Sequence, residues 1–255
     1  MILRAGLALF ATLVGVAGLL GLGLWQLERL EWKEGLIARV EERATAEPQP
    51  LPIDWAHTNA ARDEYRRVRI TGHFLHDRET LTQAVTERGG GYWVLTPLVT
   101  PEATVLVNRG FVPPELRDPA TRAEGQVAGE VTVTGLLRMS EPGGGFLRHN
   151  DPAADRWYSR DVAAITEARG LERVAPWFVD ADATPVPGGW PLGGLTVLDF
   201  PNNHLAYALT WFALAAGLAG VAVYAIRFGL GRPDREPVPP RFPGEEDETG
   251  AYEDD

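Results

Sequence analysis

LAYALTWFALAAGLAGVAVYAI, residues 205–226, carries no charged side chain, and AGLALFATLVGVAGLLGLGL, residues 5–24, is apolar apart from Thr12. At 1.5 Å rise per residue, a helix of about 20 such residues covers roughly 30 Å, the thickness of a bilayer's hydrocarbon layer. The two stretches predict membrane-spanning helices over 5–24 and 204–226, one near each end of the chain. A cleaved secretory signal competes for the first, with Gly21-Leu22-Gly23 as a weak cleavage site. The run is longer than a usual signal core, and Trp25 follows where an interfacial aromatic anchor belongs, so a retained helix is expected.

Flanking charge sets the orientation. Arg227, Arg232 and Arg235 follow the second run, whereas 190–204 contains neither Lys nor Arg. The positive-inside rule puts that end in the cytoplasm, and two crossings put both termini there. The expected location is the inner (cytoplasmic) membrane, multi-pass, with lipid around both helices and residues 25–203 forming a periplasmic domain. Residues 232–255, rich in Pro, Asp and Glu, are expected as a disordered acidic cytoplasmic tail.

Between the helices the pattern changes. ERLEWKEGLIARVEERA (28–44) continues the first helix with Leu30, Leu36, Ile37 and Val40 on one face, until Pro48, Pro50 and Pro52 end it. The body then alternates at period two or shows short β-branched runs. Strands are predicted around Val68 and Ile70, from Tyr92, from Thr104, from Glu130, over 177–179 and over 195–200. Asn108-Arg109-Gly110 reads as a tight turn or bulge, with Gly110 supplying the special backbone. One helix interrupts, with Asp161 as N-cap and Gly170 as stop. The fold class is a membrane-anchored α+β protein: two transmembrane helices flanking a mainly antiparallel, barrel-like β domain with one or two helices.

Composition removes several functions. A net charge of −11 and a pI near 5.0 argue against a nucleic-acid partner, which would need clustered Lys and Arg. The absence of cysteine excludes disulfides, thiolate metal sites and thiol chemistry. No nucleophile–base–oxyanion-donor set points to an enzyme. The GGG stretches at Gly89 and Gly143 lack the strand-to-helix setting of a phosphate loop. His73 and His76, three apart after a strand pattern, point to opposite faces, and His57 and His149 have no companions.

His204 stands apart. Asn202 and Asn203 precede it as the expected cap, which puts the imidazole in the first turn of the second membrane helix, at its outer end. Tyr207, Trp211 and Ala215 follow at i+3, i+7 and i+11 on one face with it. Trp25 and Gln26 close the first helix at the same depth, with Arg29 one turn further out. Ala11, Gly15 and Gly18 on one helix, and Ala213, Gly217 and Gly220 on the other, would allow close packing. An imidazole, flat apolar walls and a cation near the water boundary meet the needs of a haem. The same residues also serve as ordinary interfacial anchors, so on these grounds both readings stay open.

A set of motifs runs through the chain in order: LGLWQLERL (22–30), YRRVRITGHF (65–74), GYWVLTP (91–97), VLVNRGFVP (105–113), EGQVAGEVTVTG (124–135), RWYSRD (156–161), PWFVDA (176–181) and NNHLAYALTWF (202–212). Together these resemble a bacterial member of the Surfeit-locus cytochrome oxidase assembly family, which also has yeast Shy-type relatives. The resemblance implies a non-catalytic factor that binds haem a and helps insert it into subunit I of a haem-copper terminal oxidase, working beside the haem a synthesis enzymes. It ties His204 to the haem iron, with Trp25, Gln26, Arg29, Tyr207 and Trp211 around it. A scaffold that stabilises an oxidase assembly intermediate without holding haem is the alternative. A membrane sensor is disfavoured, since no signalling domain follows the second helix.

Overall fold

The computed structural model describes residues 2–51, 55–145 and 147–229, so the expected tail at 232–255 lies outside the described residues. The chain divides into two compact units, Met1–Trp32 with Asn202–Asp255, and Lys33–Pro201.

The first unit is helical. α1 (Ile2–Thr45) runs on without a break because no proline interrupts it before Pro48. Two described stretches are long and apolar enough to cross a membrane, Gly6–Thr45 and His204–Phe228. Only 6% of the most apolar window of each is buried within the protein, unlike the core helix of a soluble fold. On α1, burial recurs at Gly15, Val16, Leu19, Gly23 and Gln26, a single stripe at helical spacing.

The second unit is a closed sheet. Its elements are α2 (Ala60–Asp63), β1 (Arg67–Phe74), β2 (Thr80–Thr86), β3 (Gly89–Val99), β4 (Thr104–Val112), β5 (Glu130–Met139), the two-residue β6 (Gly144–Gly145) and β7 (Arg148–His149), α3 (Val162–Arg169) and β8 (Val174–Ala181). The strand order β1-β5-β8-β4-β3-β2 closes through an additional β1–β3 pairing, His73 opposite Val99, giving a five-stranded barrel with β2 hairpinned onto β3. All strand pairings are antiparallel except β4–β8. Closure satisfies backbone groups that an open sheet would leave at its edges.

Alternation along the strands builds two cores. Val105 and Val107 of β4 join Val68, Ile70, Leu98, Leu137, Ala175, Trp177 and Val179 in one cluster. Leu106 and Phe178, pointing the other way, pack with Leu95, Trp157 and the α3 residues Val162 and Ile165. β4 is therefore buried along its whole length, which explains its near-continuous apolar run. The α3 ends are as expected: the Asp161 side chain accepts from Ala164 N, and Gly170 sits at φ 58°.

Two expectations need correction and one resolves. Residues 195–200 form no strand: closure by β1–β3 pairs the barrel strands with one another, and none of these residues pairs with the remaining edge on β2. They run as an extended strap, held where Thr196 Oγ1 donates to Asp180 Oδ2 at 3.0 Å and Phe200 meets Tyr65 edge to face. β2, absent from the sequence reading, is a strand whose polar Thr and Gln positions conceal its alternation. At Asn108-Arg109-Gly110 the bulge holds and the turn does not. The register jumps between Trp93/Leu95 and Phe111/Asn108, and Gly110 has φ 133° with Leu192 O where a Cβ would stand.

Candidate functional site

α4 (His204–Tyr224) opens with the residue that the sequence singled out. Its N-cap is Asn203, but by backbone alone: Asn203 O accepts from Tyr207 N at 3.1 Å, and no side chain caps the helix. The expected Asn side-chain cap is thus absent, because Asn203 has φ −101° and ψ 9° in place of the extended conformation that aims a side chain at the first turn.

Gln26 and His204 come together. His204 Nδ1 lies 2.6 Å from Gln26 Oε1, and Gln26 is almost wholly buried. An amide oxygen only accepts, so Nδ1 is the donor in this contact, and in the corresponding neutral tautomer Nε2 keeps its lone pair. Nε2 has no hydrogen-bond partner among the described residues. A polar pair joining two apolar helices fixes their register at this depth, and it fixes which imidazole nitrogen is left to act.

The remaining candidates divide. Trp211 and Ala215 share the buried side of α4 with His204 and Ala208, at helical spacing. The indole Nε1 of Trp211 is buried without a hydrogen-bond partner, as is Oδ1 of Asn202. Trp25 and Tyr207 do not join them. Both are about half exposed, since Trp25 lies one residue off the α1 stripe and Tyr207 one residue off that of α4. The guanidinium of Arg29 lies 4.1 Å above the Trp32 ring, one turn beyond Gln26.

The small-residue faces also need correction. A Cβ on Gly23 would stand 2.3 Å from the Phe212 ring, and one on Gly15 would stand 3.1 Å from Leu218, so these two glycines admit the side chains of α4. Gly18, Gly217 and Gly220 have open space around them, and Ala11 and Ala213 are exposed. The seam repeats at three and four residues from Gly15 through Leu19 and Gly23 to Gln26, whereas the expected set shifted toward Gly18 and off it.

Residues 13–216 match the SURF1 family. The chain belongs to that family. Surfeit locus protein 1 of Homo sapiens is 40% identical over 215 residues, covering 77% of this chain and 70% of that protein. The Rattus norvegicus protein of the same name is 39% identical over 213 residues, with coverages of 77% and 68%. The SURF1-like protein of Monosiga brevicollis is 39% identical over 236 residues and covers 87% of this chain and 88% of its own length. The SURF1 match therefore takes in Gln26, His204 and the whole barrel.

The barrel carries a second polar centre that the sequence reading did not find. Asp180, 3% exposed, accepts from Asn108 Nδ2 at 2.7 Å, Arg138 Nη1 at 2.9 Å, Arg160 Nη1 at 3.1 Å and Thr196 Oγ1. Glu141 takes the far side of Arg160, and Glu64 lies 3.5 Å from Arg138 Nε. Burial pulls the Arg160 pKa down, but Asp180 and Glu141 outweigh it and raise it above the ordinary arginine range. Both guanidiniums lie over the Phe178 ring. Every member is paired, so the cluster holds no spare reactive group. Among the described residues, no group of three or more His, Asp or Glu side chains could hold a metal ion. The signal was present in NRG, RWYSRD and FVDA, but charges 20, 42 or 74 residues apart declare themselves as partners only once folded.

Proposed function

We propose that this SURF1-family chain is a non-catalytic assembly factor for a haem-copper oxidase, holding haem a at His204 and passing it to subunit I. The observation that carries the reading is the Gln26–His204 bond, which holds the imidazole in the tautomer whose Nε2 is free to ligate. Haem a, when bound, supplies the iron that an imidazole nitrogen ligates and the redox group that the oxidase needs.

The donor set fits that group. It consists of a neutral nitrogen ligand, an apolar surround, the Trp211 indole on the same helix face and a cation one turn outward at Arg29. Gln26 orients the ring, and Arg29 offers positive charge near the water boundary for carboxylates. Trp25 and Tyr207, exposed on the helix pair, are the residues placed to meet lipid, a haem edge or the client subunit. The charge asymmetry around 205–226 supports a cytoplasmic-membrane protein with both termini inside and the barrel outside. At that depth a greasy cofactor can move sideways into a membrane subunit without entering water.

The scaffold reading uses the same fold and differs in holding no cofactor. The visible spectrum of detergent-purified protein, made in cells that also express the haem a synthesis enzymes, decides between them. Haem a retained by the wild type and lost by His204→Ala, with membrane insertion unchanged, supports the carrier. A colourless wild type sinks it in favour of the scaffold, and an undiminished spectrum in His204→Ala sinks the ligand.

A further inference from the structure

The inward face of β4 runs Val105, Val107 and then Arg109, an arginine in a row of valines. Arg109 is 5% exposed, and no carboxylate pairs with it among the described residues. One terminal nitrogen, Nη2, donates to Gly125 O; the other, Nη1, is buried with no hydrogen-bond partner. The guanidinium carbon lies 4.9 Å from the centre of the Phe74 ring. Burial lowers its pKa to about 10, with Glu79 opposing and Arg122 adding to the fall, so the group stays charged at neutral pH.

Neighbouring charges are already committed. Glu79 is bidentate with Arg122, one of the two bonds being 3.0 Å, so that pair is closed on itself. Asp182 accepts from both Thr184 N and Thr184 Oγ1 and lies 3.8 Å from Arg67. A buried guanidinium without a counter-charge is costly to maintain, since a removed or missing partner leaves desolvation uncompensated.

Beside Arg109 is a cavity of about 190 Å³ at this end of the barrel, walled by Phe74, Val107, Val131, Val133, Ala181 and the Pro185 to Pro187 turn. The walls are mostly apolar, with Thr132, Thr134, Thr184 and the already committed Asp182 also in the lining, and Arg109 is the one cation among them. Barrel mouths are frequent ligand sites, and an apolar cavity of about 150 Å³ accepts benzene. On that scale the space suits roughly six to eight heavy atoms.

We propose that this end of the barrel binds a small monocarboxylate with a compact apolar body, its carboxylate on Arg109 and its carbon chain among the valines. The carboxylate supplies the missing acceptor to Nη1 and the missing counter-charge, while the tail removes apolar wall from water. This site is separate from the helix pair and does not depend on haem binding.

The test is calorimetric titration of the detergent-solubilised full chain with hexanoate, acetate and hexan-1-ol, comparing wild type, Arg109→Met, Val133→Phe and His204→Ala in one detergent. Micelle uptake of the probe is then common to all four. Saturable hexanoate binding is expected, with hexan-1-ol and acetate weaker by about tenfold or more, since a hydrogen-bonded charge is lost in the first and the apolar body in the second. Arg109→Met should weaken hexanoate by a similar factor, Val133→Phe should block it by filling the cavity, and His204→Ala should bind as wild type does. Should Arg109→Met fail to fold, Val133→Phe and the three probes still decide. The proposal is overturned by no saturable binding in the wild type, by hexan-1-ol binding as well as hexanoate, or by undiminished binding in Val133→Phe.

Discussion

Asn108 of β4 and Asp180 of β8 stand directly opposite each other in the barrel's one parallel pairing, and their side chains are joined by a 2.7 Å hydrogen bond. The same carboxylate holds Arg138, Arg160 and Thr196, so one acid ties β4, β5, β8, the approach to α3 and the strap at 195–200 together. Asp180→Ala is expected to cost about 1.5–3 kcal/mol of stability, because it removes the buried carboxylate shared by two partly buried guanidiniums and leaves Arg160 to Glu141 and Arg138 to Glu64. Denaturant unfolding followed by tryptophan fluorescence measures it; a loss below about 1 kcal/mol would show the cluster to be peripheral.

Acid should attack the same cluster through Glu141. Burial by itself would push its pKa up, but the hydrogen bonds and charge of Arg160, with Arg138 adding to them, hold it below the ordinary 4.5. A folded-state value below the unfolded one contributes stability that is complete above the unfolded pKa and is lost as pH falls through the folded one. The expected outcome is a stability that drops below about pH 4.5 in the wild type, with part of that drop missing in Glu141→Gln. Equal acid slopes for the two proteins would refute it.

Gly110→Ala confronts a φ of 133° and a carbonyl, Leu192 O, 2.1 Å from the new Cβ. Both the bulge and the Phe111–Leu192 bridge must shift, at a cost of about 2 kcal/mol or more. Gly129→Ala, with φ 85° but open space, should cost less. Melting temperatures of the two variants in one detergent give the comparison.

The helix pair offers a contrast between glycines. Since the chain lacks cysteine, Gln26→Cys with His204→Cys introduces the only thiols, at side chains that touch. Oxidation should cross-link this pair efficiently. Adding Gly23→Ile, which drives a side chain into Phe212, should reduce the yield several-fold, whereas Gly18→Ile should leave it unchanged. Equal yields would mean that Gly23 is not part of the seam.

Gln26→Leu keeps His204 but removes the acceptor that holds its ring. Partners of this kind typically contribute about 10–100-fold to ligation, so haem a retention should fall by that order while Gln26→Glu retains it. Haem titration of the three proteins checks this, and a wild-type affinity in Gln26→Leu would leave Gln26 as a packing residue only.

What could be read in advance follows from the range of the interactions. The two spans, the Asp161 cap and Gly170 stop of α3, and most strands are set by neighbours within a few residues, through hydropathy, capping and alternation. β2 escaped because its buried positions are Thr80, Thr82 and Ala84, which polarity counts as surface. The strap at 195–200 was misread in the opposite sense, since Leu195, Val197 and Phe200 have strand propensity but pair with no strand of the sheet. At the helix pair, His204 and Gln26 were identifiable as polar residues at one depth. Which neighbours faced them was not, because a rotation of one residue moves a side chain by about 100° and exchanges Trp25 for Gln26.

The sequence by itself determined that two apolar spans bracket a β-rich domain, that no cysteine chemistry is on offer, and that an imidazole sits at a helix start beside aromatic residues. Only the tertiary structure decided that the sheet closes, that Gln26 holds His204 Nδ1, that Asp180 and Glu141 together pair with two arginines, and that Arg109 faces a barrel cavity without an ion-pair partner. Local pattern reports the free energy of solvating a segment; pairing between residues distant in sequence depends on loop closure and packing geometry, which no short window contains.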